Sequence, residues 1–293
     1  MLVVTGATGN VGSELTAALM RDRPLPFRIA AHTPSKLHAK YGADAPVVPF
    51  DYDDRATWPD ALHGITTLFL LFPLPSPRTV NTRMKPLIDA AVAAGCSHIV
   101  YISVPGADAS PIVPHNQVER HIRETGVRYT ILRPSYFMQN LCRRISSHGV
   151  DIVRHHELFI PAGAGKTSFI DARDVAAVAV QVFTQPQAHA NHIYTLTGPA
   201  ALNFWAVAAI FSEVFGRPIR YSNPGLPRFW WRMFRRGLGW DTIGFMTIVY
   251  TLTRLARNNP ISPELGRLLG RDPATMEQFV RDERWRWEQE AWT

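Results

Sequence analysis

Cysteine is almost missing from this chain: Cys96 and Cys142 are the only two in 293 residues, and neither has a CxxC neighbour. That excludes a disulfide framework or a cysteine metal site, and it points to a reducing, cytoplasmic compartment. Lysine is nearly as scarce, standing only at Lys36, Lys40, Lys85 and Lys166. No tyrosine has a lysine four residues later. The Tyr-x-x-x-Lys pair, in which the lysine lowers the phenol pKa for proton transfer, is therefore absent. No apolar run approaches the roughly 18 residues of a membrane span, so no integral membrane segment is expected. The first apolar run begins at Met1, so no signal peptide is expected. A net charge of +7 raises nucleic acid as a partner. The arginines are scattered, however, and no nucleic-acid motif occurs, so none is expected.

What is present begins at the N-terminus. Leu2, Val3 and Val4 lead into Thr5-Gly6-Ala7-Thr8-Gly9-Asn10-Val11-Gly12, and Ser13 to Met20 reads as helix. A strand, a turn open only to glycine and a helix whose first N–H groups face that turn make an anion site, usually for a pyrophosphate. Gly9 lets the backbone approach the phosphates, and Gly12 lets helix and strand pack closely. The alternative is a glycine-rich turn without a ligand.

Further strands are expected at Phe27–His32, Val47–Asp51, Thr66–Phe72, Ser97–Ser103 and Val127–Leu132. Helices at Arg55–His63, Thr79–Ala94 and His115–Thr125 separate them. Such alternation implies an α/β fold with a parallel, doubly wound sheet, its binding crevice beyond the C-terminal strand ends. Past Arg133 the pattern is irregular. A helix is expected at Ser135–Ser146, strands at Asp151–Ile160, Thr167–Ile170, His192–Leu196 and Pro218–Tyr221, and helices at Asp171–Phe183 (capped by Asp171) and Phe204–Phe215. From Pro227 onward the chain reads as helical and aromatic. Residues 1–150 then form a nucleotide-binding domain, and 151–293 a smaller, mainly helical substrate lobe interleaved with it.

Several stretches together resemble the NmrA-like group of atypical short-chain dehydrogenases/reductases. They include the glycine turn, Phe50-Asp51-Tyr52-Asp53-Asp54, Tyr129-Thr130-Ile131-Leu132-Arg133-Pro134, and Phe137-Met138-Gln139-Asn140. Phe169-Ile170-Asp171-Ala172-Arg173-Asp174-Val175-Ala176, Tyr194-Thr195-Leu196-Thr197-Gly198-Pro199, Phe215-Gly216-Arg217-Pro218-Ile219 and Leu269-Gly270-Arg271-Asp272-Pro273 extend the match. The resemblance implies a Rossmann-type fold. It leaves chemistry open among quinone and dye reductases, ether and alkaloid reductases, and NAD(P)-sensing regulators.

An NAD pocket normally carries an acid at the end of strand two. Here Ala31-His32-Thr33-Pro34-Ser35-Lys36 has none, which favours NADPH over NADH. The family usually has arginine where His32 stands, whereas its lysine matches Lys36. Asp51 and Tyr52 resemble the family's adenine-edge pair, and Leu71, Phe72 and Pro73 should lie over the nicotinamide ribose. The resemblance adds Gly6, Thr8, Gly9, Asn10, Val11, Gly12, Ser103 and Pro134 as cofactor contacts. Some relatives place a lysine where this chain has His115, which can move a proton in hydride transfer or simply start a helix in solvent. Tyr101 and Ser103 complete the catalytic candidates, although Tyr101 can equally be core. Tyr136, Gln139, Asn140 and Trp230 are candidate substrate contacts.

Two lookalikes are set aside. Gly163-Ala164-Gly165-Lys166-Thr167 lacks the first glycine of a P-loop, at Ile160, and precedes a strand. His155-His156 has no nearby ligands, and no metal is expected. The Phe229–Arg257 stretch, rich in aromatics and arginines, reads as a lid or a homodimer surface in preference to a membrane-surface helix. The leading expectation is an NADPH-dependent reductase of quinones or other conjugated apolar small molecules. The alternatives are an NADP(H)-sensing regulatory protein and a non-redox catalyst on the same fold.

Overall fold

The computed structural model describes residues 1–73, 75–142, 148–256 and 260–288. The chain divides into two compact units. Met1–Pro134 with Val175–Leu196 forms the first, and Ser135–Asp174 with the chain from Thr197 onward forms the second.

The first unit contains, in chain order, β1 (Leu2–Val4), α1 (Asn10–Asp22), β2 (Phe27–Ala31), α2 (Pro34–Tyr41), β3 (Val47–Pro49), α3 (Trp58–Leu62) and β4 (Thr67–Leu71). It continues through α4 (Pro77–Thr79), a π-helical stretch Val80–Met84, α5 (Lys85–Ala93), β5 (His98–Ile102), α6 (Pro114–Glu124) and β6 (Arg128–Pro134). The second unit contributes β7 (Tyr136–Phe137), α7 (His148–Val150), β8 (Glu157–Leu158) and β9 (Thr167–Ile170). α8 (Ala172–Thr184) starts in the second unit and, from Val175, returns to the first with β10 (His192–Leu196). β11 (Ala201–Leu202), α9 (Phe204–Phe215), β12 (Arg220–Tyr221), α10 (Leu226–Arg235), α11 (Trp240–Arg254), α12 (Glu264–Leu269) and α13 (Met276–Asp282) follow.

Seven parallel strands order as β10-β6-β5-β4-β1-β2-β3. β4 and β5 read as continuous apolar runs because helices cover both faces of a parallel sheet, and Leu68, Phe69, Leu70, Ile99, Val100 and Tyr101 are all fully buried. The chain winds outward from β1 through β2 and β3, then recrosses to β4 on the other flank of β1. The direction of winding therefore reverses between β1 and β4, and a crevice opens beyond their C-terminal ends. Register pairs Val4 with Phe69, which sets the glycine turn beside Leu71.

The expected domain boundary at 150 differs from the observed division. Residues 135–150 lie in the second unit, and 175–196 return to the first because β10 extends the sheet by pairing with β6, from His192 on Thr130 to Leu196 on Pro134. Two elements also differ in kind. The helix expected at Ser135–Ser146 is instead β7 followed by a 3-10 turn, Met138–Leu141, within the described part; residues 143–147 lie outside it. Tyr136 and Phe137 pair with Phe169 and Ile170 in parallel, so strand pairing overrides local helix preference. The strand expected at Asp151–Ile160 begins as a π-helical turn, Asp151–His155, and only Glu157–Leu158 is strand. Asp151 is wholly buried there and binds Arg232 and Arg236, a tertiary demand that an apolar pattern does not encode.

Asp171 does cap α8, accepting from Arg173 N–H at 2.8 Å. The P-loop lookalike is a packed turn leading into β9: a Cβ on Gly165 would lie 1.9 Å from the Thr253 carbonyl. Both His155 and His156 are exposed.

Candidate active site

The glycine turn is fixed from both sides. Thr5 Oγ1 donates to the Phe69 carbonyl at 2.9 Å and accepts from Leu71 N–H at 3.0 Å, which ties the end of β1 to the end of β4. Gly6 has φ +69°, the left-handed region that side chains disfavour, and Leu71 packs where a Cβ would stand. A Cβ on Gly12 would sit 2.1 Å from the Gly6 carbonyl oxygen. Gly12 thus serves the approach of α1 to the turn itself, a closer demand than the expected helix–strand packing. Gly9 is the N-cap of α1 and offers the first turn no side-chain acceptor.

Beyond β2, His32 is exposed, and its Nε2 lies 3.2 Å from Asp51 Oδ2. The sequence shows no acid at the end of β2, yet the neighbouring strand end supplies one. Asp51 Oδ1 is occupied by Asp53 N–H at 2.9 Å, so its other oxygen faces outward to His32. Lys36 lies exposed on α2. Tyr52 does something unexpected: its hydroxyl donates to the Leu71 carbonyl at 2.7 Å, linking the loop after β3 to the end of β4. Burial raises its phenol pKa above the ordinary value.

His115 starts α6 but is buried, not exposed. Its Nδ1 lies 2.7 Å from the Tyr101 hydroxyl, and the Phe72 ring meets its ring edge-on at 5.3 Å. Burial lowers its pKa to about 3 and raises that of Tyr101 well above normal. The imidazole is therefore neutral at ordinary pH. Tyr101, His115 and Phe72 form one cluster, drawn from β5, α6 and the end of β4.

Ser103 belongs to a second cluster. Its hydroxyl donates to Glu119 Oε1 at 2.5 Å, and Glu119, wholly buried, is clasped by Arg133 through Nε at 2.9 Å and Nη2 at 2.7 Å. Asp108 approaches Arg133 from the surface at 3.0 Å, and this guanidinium holds the Asp108 carboxyl below the usual carboxylate range. No short motif marks this lock as a unit in the sequence. The available signal was an arginine within an apolar strand and a glutamate on the apolar side of α6 beside Val118 and Ile122.

The substrate candidates lie in the second unit. Gln139 is buried, with Nε2 donating to Asp171 Oδ1 at 2.7 Å and Oε1 accepting from Ala172 N–H at 3.0 Å. Its amide is spent on holding the start of α8, so it is a structural tie and not an available contact. Tyr136 Oη lies 3.3 Å from the Tyr250 hydroxyl, and burial pushes its phenol up to about 12. Trp230 is exposed on α10 and donates through Nε1 to Thr247 at 2.9 Å.

The sequence matches the NmrA-like family over residues 1–226. An NAD(P)H azoreductase from Xenophilus azovorans is 32% identical over 287 residues, spanning 96% of this chain and 97% of that one. The structure of an NADPH-dependent quinone oxidoreductase from Escherichia coli, complexed with NADPH, has a TM-score of 0.80 at 26% identity, covering 97% of this chain and 100% of that one. That of a Citrobacter triphenylmethane reductase, complexed with NADP(H), has a TM-score of 0.82 at 21% identity, covering 96% and 99%, which is a likeness of fold. With most of its length matched, a parallel sheet that reverses at β1 and β4, and a glycine turn at that reversal, the chain belongs to the NmrA-like family.

Proposed function

We propose that this protein is a reductase that uses NADPH to deliver hydride to a quinone or a similar conjugated apolar molecule. The observation that carries this reading is the glycine turn at the sheet's reversal point, packed so closely at Gly12 that no side chain fits. A pyrophosphate suits the place, because α1 opens there with a glycine N-cap and its dipole favours an anion. The backbone of Gly6, Thr8, Gly9, Asn10, Val11 and Gly12 would hold it. His32 and Lys36 would meet a 2′-phosphate, and Asp51 with Tyr52 the adenine edge. Leu71, Phe72, Pro73, Ser103 and Pro134 would border the nicotinamide side. The similarity to an NAD(P)H azoreductase and to an NADPH-bound quinone oxidoreductase supports the same reading. A cytoplasmic setting accords with a chain that has only two cysteines.

When bound, NADPH supplies the hydride. The protein's own contribution is to orient the acceptor, exclude water and stabilise the oxygen on which charge develops. His115 is suited to that last task as a neutral donor. If Tyr101 Oη donates to Nδ1, the imidazole proton is held on Nε2, which then offers an N–H to the substrate oxygen. Tyr101 is thus a positioning residue and His115 the proposed catalytic one. Ser103, held by Glu119, supports the strand end. Tyr136, Asn140 and Trp230 remain proposed substrate contacts.

The test is consumption of NADPH and of NADH by purified protein with a panel of quinones and enones. We expect turnover with a preference for NADPH that Lys36→Ala reduces. Binding of NADPH without turnover on any acceptor would instead support a regulatory protein. Failure of either nucleotide to bind would remove the reading altogether.

A further inference from the structure

The second unit carries a surface that the redox reading does not use. α10 buries Phe229 and Met233, and α11 buries Ile243, Met246, Tyr250 and Thr253 along one stripe. The two helices are joined by the Trp230–Thr247 hydrogen bond and by the Phe229 ring set edge-on to Tyr250 at 5.8 Å. A helix on a protein surface normally turns polar residues to the solvent. α11 does not. Phe245, Ile248 and Leu252 point outward, Leu255 follows just past its end, and Ile248 is 61% exposed. Trp231 and Phe234 of α10 and Trp240 of α11 add aromatic area, with Trp231 63% exposed and the Phe234 and Trp240 rings stacked 5.5 Å apart. An outward apolar surface of this kind marks an interaction site.

Charge identifies the partner. Between Leu226 and Ala256, Arg228, Arg232, Arg235, Arg236 and Arg254 stand against the single acid Asp241, a surplus of four out of the chain's net +7. A cleft of about 550 Å3 is lined by His155, Arg228, Trp231, Arg232, Arg235 and Arg236. Arg232 and Arg236 are set in place by the buried Asp151, and Arg232 also by Glu157. Among the described residues, Arg228 and Arg235 have no acid partner and rest on aromatic rings, Phe159 and Trp231 respectively. Two guanidinium groups with uncompensated charge thus border a cleft beside an aromatic surface.

We propose that the α10–α11 hairpin docks on the surface of an anionic lipid bilayer. Its outward tryptophans and aliphatic side chains enter the boundary between headgroups and acyl chains, and the arginine cleft receives lipid phosphates. The hairpin lies on the membrane without spanning it, since no helix among the described residues is long and apolar enough to cross. A second copy of the chain is a poorer partner for this face, because it would bring the same uncompensated guanidinium groups of Arg228 and Arg235 against them. The inference does not depend on the redox reading.

Flotation of the full-length protein with phosphatidylcholine vesicles, and with vesicles also containing phosphatidylglycerol, tests this. The protein should float with the anionic vesicles only, with tryptophan fluorescence shifted to the blue, and raised salt should release it. Arg228→Ser and Arg235→Ser should each weaken partitioning about fivefold. Ile248→Ser with Leu252→Ser should abolish it while circular dichroism stays unchanged, since both side chains are exposed. Flotation with neither vesicle, or equally with both, would overturn the proposal. So would a concentration-dependent dimer that the same double variant dissociates in a protein that ignores vesicles.

Discussion

Two buried tyrosine–histidine pairs, one in each unit of this molecule, share a chemistry and differ in setting. In the first, Tyr101 meets His115 Nδ1 at 2.7 Å. In the second, the Tyr250 hydroxyl meets His148 Nε2 in a short hydrogen bond and also approaches the Tyr136 hydroxyl. Burial lowers both histidines to about 3 and raises both tyrosines well above normal. Chemically the pairs are near twins, and only their placement separates them. The first stands where β5 and the end of β4 meet the start of α6, beside Phe72 at the C-terminal end of those strands. The second is enclosed by the apolar core that includes Phe229, Phe159 and Met246, and His148 Nδ1 finds no partner among the described residues. A perturbed pKa therefore marks burial in both places and does not by itself single out a catalytic group.

The largest effect that tests this contrast is a divided response to truncation. His115→Ala should lower kcat for quinone reduction on the order of a hundredfold with little change in NADPH affinity. His148→Ala should leave kcat within a few-fold and lower stability by about 2–4 kcal/mol, by opening a cavity and stranding Tyr250. Parallel steady-state kinetics and urea denaturation of the two variants would show this. Equal loss of kcat in both would erase the distinction.

Acid should affect the pairs alike. A histidine whose folded pKa is depressed lets the unfolded chain take up the proton first. Its stabilising contribution is complete above the unfolded value near ~6.5 and declines as pH falls toward the folded value of about 3. Each histidine should cost about 1.4 kcal/mol per pH unit across that window. Urea denaturation at several pH values should therefore give a shallower dependence for His148→Gln, and likewise for His115→Gln, than for the wild type.

The smallest difference concerns the tyrosines. Tyr101→Phe strands one ring nitrogen, whereas Tyr250→Phe strands His148 Nε2 and also removes one partner of Tyr136. The second substitution should cost about 1 kcal/mol more than the first, measured by the same denaturation curves.

The order and kind of the main sheet elements were legible because their signals are local. A buried parallel strand is a continuous apolar run, and the glycine turn can be read from spacing alone. His192–Leu196 and Phe204–Phe215 were located to the residue. The site was legible only in part. Sequence placed Tyr101, Ser103 and His115 near one another along the β5–α6 segment, but not the sorting of Ser103 to Glu119 and of Tyr101 to His115. Gln139 looked like a substrate contact because nothing local reveals that Asp171 and the start of α8 consume its amide.

What the amino-acid order determined by itself is the winding of the sheet and the turn at Gly6–Gly12, since backbone sterics and burial on two faces act within a few residues. Tertiary structure alone decided which polar groups are spent and which remain available. Asp51 came to face His32, Asp151 came to anchor two arginines of α10, and β10 carried the chain back beside β6. Hydrogen bonds and ion pairs depend on distances of about 3 Å between groups far apart in the chain, and only the packed structure fixes those distances.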